Sequence, residues 1–311
     1  MRLKRNVISL AILLAGLVAG TSAHAADQPM PVVATFSILG DLVKNVGGDR
    51  VTVDTLVGPN GDAHVFSPSP ADVRKVANAK LLFVNGLGLE GWMPRLAKSV
   101  GRKVPEVVAT KGIKPIEGAE EEGESHDHGH GHDHGHHDDP HAWQSVANAE
   151  IYVRNIRDAL IAADPAGKAT YEANAEAYLA KLAALDAKVK AAMAAIPADR
   201  RVIVTTHDAF GYFAAAYGLK VLPPEGVSTE SEASAKDVAK IIRQVKAEKI
   251  PAVFLENISD PRLMQQIAQE TGAKIGAPVF SDALSPPDGP APTYIAMIEH
   301  NIRAFSDALK P

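Results

Sequence analysis

Residues 171–196 read YEANAEAYLAKLAALDAKVKAAMAAI, a sequence typical of one long helix. Its apolar residues recur three or four positions apart, as at Tyr178, Leu182, Leu185 and Val189. Most other positions are alanine, lysine or glutamate, which all have high helix propensity. At ~1.5 Å per residue this helix runs roughly 40 Å, longer than one small domain needs. We therefore expect a stiff helix, residues 166–197, that joins two lobes.

Strand-like and helix-like segments alternate on both sides of this helix. This alternation predicts parallel sheets with helices on their faces. The predicted fold class is α/β: two α/β lobes, each a mostly parallel sheet flanked by helices, joined by one long helix. We place the N-terminal lobe at 26–165 and the C-terminal lobe at 198–311. The predicted strands are 32–36, 51–57, 81–84, 104–108, 201–205, 219–222, 252–255 and 274–280, and the predicted helices include 38–46, 151–161, 261–271 and 293–309.

The first 25 residues have the organisation of a secretory signal peptide. Residues 1–5 carry positive charges, 7–18 are apolar, and Ala23-His24-Ala25 matches a small-x-small cleavage site. The apolar segment is too short to span a bilayer comfortably. The sequence contains no cysteine, so we expect no lipid-modified N-terminal cysteine, no disulfide and no thiolate ligand. The prediction is a protein of the periplasm.

The net charge of the chain bears on which kinds of molecule it can be expected to bind. The 311 residues carry a formal net charge of −5. A nucleic-acid-binding protein would be expected to show a basic patch. We expect a monomer with no nucleic-acid partner.

Four loop positions are candidate ligands for a single metal ion. His64, His141, His207 and Asp282 each lie at or just beyond the end of an apolar segment. Three imidazoles and one carboxylate suit a tetrahedral Zn²⁺ site. The four residues are far apart in sequence, so only the fold can bring them together.

Alternative interpretations accompany several of these positions. Ser281-Asp282 is also a common turn pair. Asp62 and Asp208 lie beside candidate ligands, where they could orient an imidazole or could be ordinary turn residues. Trp143 is expected to be a packing residue that could also wall the cleft.

Residues 117–139 interrupt the α/β pattern. Apart from Ala119 this segment has no aliphatic residue, so it cannot bury apolar area, and we expect a disordered loop. Its histidines alternate with aspartate and glycine, which favours a flexible, low-affinity metal collector; a solvated spacer is the alternative. Beside the cleft, such a loop could raise the local zinc concentration or accept metal from a periplasmic donor protein. The candidate auxiliary ligands are His126, His128, His130, His132, His134, His136 and His137.

Four motifs carry a resemblance to a known family. They are GDAHVFSPSPADV at 61–73, NGLGLE at 85–90, DPHAW at 139–143 and THDAFGYF at 206–213. Together they resemble the cluster A-I metal-binding solute-binding proteins of ABC transporters. The resemblance runs from about Pro31 to the end of the chain, and the chain is most similar to periplasmic zinc binders of the ZnuA and AztC kind.

The resemblance implies two α/β lobes joined by one long helix, with the metal in the cleft between them. It implies ligands at His64, His141, His207 and Asp282. Manganese members of the family carry a glutamate at the position of His207, and a third imidazole favours zinc over the harder manganese. The chain departs from many ZnuA proteins because it has no cysteine pair, a feature that points toward the AztC kind.

The expected function is therefore zinc transport rather than catalysis. The chain would capture Zn²⁺ in the periplasm and deliver it to an ABC import permease. We expect each lobe to supply two ligands, with Asp282 or His207 the first to leave on release. The alternative is a zinc-dependent hydrolase that uses the same ligands and leaves one coordination position open for water. Four protein ligands would close that position, which argues against the alternative.

Overall fold

The computed structural model describes residues 28–118 and 138–310. The predicted signal peptide, residues 1–25, and the seven histidines of the predicted loop lie outside these ranges. The described ends of the 117–139 segment are ordered. Glu117 and Asp138 form an antiparallel bridge, and Asp139 is buried.

The first sheet is built from four parallel strands: β1 (Met30–Phe36), β2 (Val51–Val57), β3 (Leu81–Val84) and β4 (Glu106–Val108). Their order across the sheet is β2-β1-β3-β4. The central strands are buried almost throughout, as expected for a parallel sheet covered on both faces. The helices of this part are α1 (Ser37–Gly47), α2 (Pro70–Asn78), α3 (Met93–Val100) and α4 (Val146–Ala163).

The second sheet repeats this order with shorter strands: β5 (Val202–Ile203), β6 (Lys220–Val221), β7 (Ala252–Val253) and β8 (Lys274–Ile275). Two parallel pairs, β5–β6 and β7–β8, are joined by a bridge between Val204 and Val253. The resulting order is β6-β5-β7-β8, with the first and third strands of the lobe at the centre, as in the first sheet. The helices are α6 (Gly211–Tyr217), α7 (Ala235–Glu248), α8 (Arg262–Thr271) and α9 (Tyr294–Leu309).

The predicted long helix is confirmed as α5 (Lys168–Ala194). At ~1.5 Å per residue, its 27 residues run roughly 40 Å. One face is buried and packs against α1, α4 and α9, so the helix joins elements from both ends of the chain. That buried face consists of Tyr171, Ala175, Tyr178, Leu182, Leu185, Val189 and Met193.

Several element boundaries differ from the predicted ones. The segment predicted as strand 274–280 is regular only in β8, because Pro278 has no N–H to donate and the chain pairs again only at Val279. Helix α3 was not predicted. Helix α4 begins at Val146 rather than at 151, after a short 3₁₀ turn at Ala142–Gln144. Among the described residues, none of the helices has the length and apolar character needed to cross a membrane.

Candidate metal centre

The fold brings the four candidate ligands together. His64, His141, His207 and Asp282 each offer one ligand atom, and these atoms all lie within 4.8 Å of one another. All four side chains are buried. The Nε2 atom of His64 lies 3.2 Å from Nε2 of His141 and 3.3 Å from Oδ2 of Asp282. Nε2 of His207 lies 3.1 Å from the same Oδ2, and Nε2 of His141 lies 3.6 Å from Oδ1 of Asp282.

These separations have the scale of a tetrahedral coordination shell. Four ligands bonded to zinc at about 2.0 Å would lie about 3.3 Å from one another. One of the two carboxylate oxygens, Oδ1 of Asp282, is buried and has no hydrogen-bond donor within the described parts of the chain. A buried carboxylate oxygen without a donor is costly unless a cation compensates it. The cluster therefore fits a metal ion.

The turn after β2 sets the position of His64. Asn60 adopts a left-handed conformation, φ +55°, in this turn. The carboxylate of Asp62 accepts a hydrogen bond from the backbone N–H of His64 at 2.8 Å, the local pattern of an Asx turn. The indole N–H of Trp92 donates to the carbonyl of Ala63 at 2.8 Å. Both hydrogen bonds fix the backbone at Ala63 and His64 and so set the position of the His64 imidazole.

The loop before α4 fixes His141 through Asp139. Oδ1 of Asp139 lies 2.8 Å from the backbone nitrogen of His141 and 2.7 Å from its Nδ1. When Nδ1–H donates to this carboxylate, Nε2 presents its lone pair to the metal. The side-chain amide of Asn85 donates to the carbonyl of Pro140 at 2.8 Å, which holds the peptide immediately before the ligand.

A second carboxylate orients His207. Oε1 of Glu256 accepts hydrogen bonds from the backbone N–H groups of Thr206 and His207, at 2.7 and 3.0 Å. Oε2 of Glu256 lies 2.6 Å from Nδ1 of the imidazole. Nε2 is again the nitrogen that faces the cluster.

Asp139 and Glu256 are candidate orienting residues that the sequence analysis did not identify. Asp62, which was considered for orienting an imidazole, contacts the backbone of His64 and the hydroxyl of Thr229. The sequence did carry a signal for Asp139, since it stands two residues before His141. Glu256 lies 49 residues from His207 in sequence and has no local pattern that points to it.

The charges of the metal-free cluster favour protonated imidazoles. Burial acts to lower the pKa of His141, but the negative charges of Asp282 and Asp139 outweigh it and raise that pKa to about 9. Burial likewise opposes protonation of His207, and Glu256 and Asp282 raise its pKa well above the ordinary value. Burial would raise the pKa of Asp282, whereas His207 and His141 hold it well below its usual range. A metal ion must displace these protons.

Comparison with known proteins gives consistent matches over most of the chain. Residues 32–308 match the family described as zinc-uptake complex component A, periplasmic. The iron-binding protein YfeA of Yersinia pestis is 36% identical over 271 residues, which cover 87% of this chain and 83% of YfeA. The manganese ABC transporter substrate-binding lipoprotein PsaA of Streptococcus pneumoniae is 32% identical, with 98% of each chain covered.

A solved structure matches as well. The periplasmic zinc binding protein TroA from Treponema pallidum superposes with a TM-score of 0.82 at 31% identity, covering 91% of this chain and 100% of TroA. The names of these three relatives specify iron, manganese and zinc.

Proposed function

The chain belongs to the zinc-uptake complex component A family of periplasmic metal-binding proteins, and we propose that the metal it carries is Zn²⁺. The family consists of substrate-binding proteins of ABC transporters and not of enzymes. Such a protein works outside the cytoplasmic membrane and delivers its metal to an ABC permease. Relatives are named for zinc, manganese and iron, so the choice of metal has to be argued from the residues of this chain.

The ligand set is the observation that carries this proposal. Three imidazole nitrogens and one carboxylate oxygen are borderline-soft donors with a single negative charge, which zinc prefers. Manganese favours carboxylate, carbonyl and water oxygens, and it binds nitrogen-rich sites more weakly than zinc. Four pairs of ligand atoms lie 3.1 to 3.6 Å apart, and all pairs lie within 4.8 Å, which also supports four-coordinate geometry.

Four protein ligands also support carriage over catalysis. A catalytic zinc keeps one coordination position for water or substrate. Here the fourth position is taken by Asp282, whose carboxylate lies within 3.6 Å of all three imidazoles. The hydrolase alternative would need this carboxylate to leave the metal.

The same proposal describes how the protein would be exported, take up zinc and release it. Residues 1–25 would be removed on export, and the mature chain would take up zinc in the periplasm as a monomer. The histidines between residues 126 and 137 would collect metal weakly, or accept it from a donor protein, and pass it to the buried site. Zinc would then be released to the permease when one of the four ligands is drawn away.

Competition between metals tests the proposed cargo. The mature chain lacking residues 120–138 should be used, because removal of the loop histidines leaves one class of site. After incubation with equal Zn²⁺ and Mn²⁺, native mass spectrometry should find one zinc per chain and almost no manganese. His64→Ala is the control that should lose tight binding. Retention of manganese in preference to zinc would refute the proposal.

A further inference from the structure

The carbonyl of Ser281, immediately before the ligand Asp282, is held by two side chains from the N-terminal lobe. The indole N–H of Trp143 donates to this oxygen at 2.9 Å, and the amide of Gln144 donates at 2.7 Å. A carbonyl oxygen has two lone pairs, and both are used here. Trp143, Gln144 and Ser281 are fully buried, so water cannot replace either bond if it breaks.

Two more hydrogen bonds attach the residues after Asp282 to the same lobe. The backbone N–H of Leu284 donates to the hydroxyl of Ser37 at 2.9 Å. The carbonyl of Leu284 accepts from the backbone N–H of Asn60 at 3.0 Å. Ser37 follows β1 and Asn60 follows β2, so both partners belong to the N-terminal sheet and its loops. The backbone around Asp282 is therefore attached to the N-terminal lobe on both sides, and it is also bonded to its own lobe through Asn257 and Asn301.

The hydrogen-bond partners of His207 differ from those of the backbone around Asp282. Its backbone N–H and its Nδ1 both contact Glu256, and the next residue, Asp208, donates its backbone N–H to the carbonyl of Gly226. These partners come from the C-terminal lobe. His207 is thus supported by its own lobe, whereas the backbone around Asp282 is bonded both to its own lobe and across the cleft.

We propose that Trp143 and Gln144 are positioning residues that hold Asp282 on the N-terminal lobe through the Ser281 carbonyl. Asp282 is then bonded to both lobes and stays beside His64 and His141, whereas His207 has its backbone and Nδ1 partner, Glu256, in the C-terminal lobe. This proposal differs from the expectation that each lobe supplies two ligands. It makes His207 the ligand that separates first when the lobes move apart. The inference rests on the proposed metal site.

Cobalt(II) spectroscopy tests the positioning role. The double variant Trp143→Phe/Gln144→Met removes both donors while keeping an aromatic ring and a side chain of similar length. If Asp282 is released, water takes the fourth position on Co²⁺, as at an open three-ligand site. A metal-bound water ionises near neutral pH, so the visible spectrum of the variant should change between about pH 6 and about pH 9 and should respond to azide. Transfer of metal to a chelator should be about 10- to 100-fold faster than in the wild type.

Three further variants make the result decisive. Tyr171→Phe is the control, because it removes only the hydrogen bond from the Tyr171 hydroxyl to Asp164 near the start of α5. This variant should keep the wild-type spectrum and transfer rate. Gln144→Met alone provides a milder change if the double variant fails to fold, and it should show the same effects in smaller degree. A pH-independent, azide-insensitive spectrum in both Gln144 variants would overturn the inference. Undiminished cobalt binding by His64→Ala would instead show that the proposed metal site is wrong.

Discussion

At the scale of single residues, each of two ligand imidazoles has a carboxylate on its Nδ1 atom. Asp139 contacts His141 in this way, and Glu256 contacts His207. A carboxylate in this position selects the tautomer that exposes Nε2 and increases the basicity of that nitrogen. We therefore expect the metal affinity of the site to depend on these two carboxylates, which are not themselves candidate ligands.

Neutralising either orienting carboxylate should weaken zinc binding. Asp139→Asn and Glu256→Gln preserve shape but remove the charge that polarises the imidazole. We expect zinc affinity to fall about 10- to 100-fold in each variant. Titration against a zinc chelator of known affinity measures the change. Asp158→Asn, on the exposed surface of α4, is the matched control, and equal affinities in all three variants would contradict the role given to these carboxylates.

Zinc binding should release protons over a range that extends above the pKa of free imidazole. His141, with a pKa raised to about 9, is still protonated in the metal-free protein at neutral pH. Zinc needs the neutral ring, so affinity should keep rising with pH up to about 9 instead of levelling off near 6.5. Calorimetry at pH 7 in buffers of different ionisation enthalpy should detect at least one released proton. Binding heats independent of the buffer would count against this charge state.

The same shift predicts how the stability of the metal-free protein depends on pH. A histidine whose folded pKa is raised contributes stability that is fully present below its unfolded pKa, about 6.5, and is lost as pH rises through the folded value of about 9. The Tm difference between wild type and His141→Ala, both metal-free, should therefore shift against the wild type between pH 6.5 and pH 9. Calorimetric scans in chelator measure this difference. A difference that favours the wild type more strongly at higher pH would have the wrong sign.

His207 is the residue expected to set the choice of metal. Exchanging this imidazole for a carboxylate in His207→Glu leaves two nitrogen and two oxygen donors, a harder set that suits manganese better. We expect the ratio of zinc to manganese affinity to fall about tenfold or more. Competition dialysis against both metals gives the ratio. An unchanged ratio would mean that selectivity arises outside this position.

The four candidate ligands were predicted from sequence, and the residues that hold them in place largely were not. His64, His141 and His207 lie in short motifs whose order along the chain is informative. Glu256 has no such motif, because its contact with His207 depends on the position of β7 beside β5. The bonds from Trp143 and Gln144 to Ser281 likewise join segments about 140 residues apart, and no local pattern encodes them.

At the scale of elements, helix α2 shows how local sequence determines a boundary. Oγ of Ser69 accepts from the backbone N–H of Asp72 at 3.3 Å, and Oδ2 of Asp72 accepts from the backbone N–H of Ser69 at 3.0 Å. This reciprocal pair is a capping box, and Pro70 occupies the first helical position. The helix start after the His64 loop was therefore predictable from Ser69 and Pro70 alone.

Removal of this cap should affect stability without affecting the metal site. Ser69→Ala leaves backbone N–H groups of the first turn without their acceptor and should cost about 1 kcal/mol. We expect Tm to fall by about 2 °C while the zinc affinity stays at the wild-type value. Ser99→Ala, at an exposed position on α3, is the control. A loss of zinc affinity in Ser69→Ala would show that α2 supports the site more directly than its contacts indicate.

The strands of the second sheet mark the limit of reasoning from sequence patterns. Each of the four was predicted as four to seven residues but pairs regularly over only two. Apolar runs identify buried segments, yet regular pairing also needs backbone donors and neighbours in register. Pro278 removes one donor, and isolated bridges at Val204 and Glu256 take the place of longer ladders. The sequence therefore predicted which segments are buried, but it did not predict how many residues of each strand pair with a neighbouring strand.

At the scale of the whole molecule, two sheets with the same strand order stand on either side of the cluster. The loops that carry His64 and His207 follow β2 and β5, and the loops that carry His141 and Asp282 precede α4 and α9. Helix α5 packs against α1, α4 and α9 and so ties the two halves together. Such packing should restrain a wide hinge, so a small separation of the lobes that displaces one ligand is the simpler route to release.

Deleting residues 120–138 should separate the two proposed classes of metal site. The variant should retain one tightly bound zinc, because all four ligands and Asp139 remain. The full mature chain should bind additional zinc more weakly through its loop histidines. Equilibrium dialysis of both proteins gives the two stoichiometries. Loss of the tight site on deletion would show that the ligand assignment is wrong.

The most direct test of the four-ligand zinc site is the anomalous scattering of a crystal of the zinc-loaded mature chain, recorded on both sides of the zinc absorption edge. We expect a single strong peak, bonded to Nε2 of His64, His141 and His207 and to the carboxylate of Asp282 at about 2.0 Å. A peak elsewhere in the molecule, or one at the cluster with any of these four side chains turned away from the ion, would contradict it.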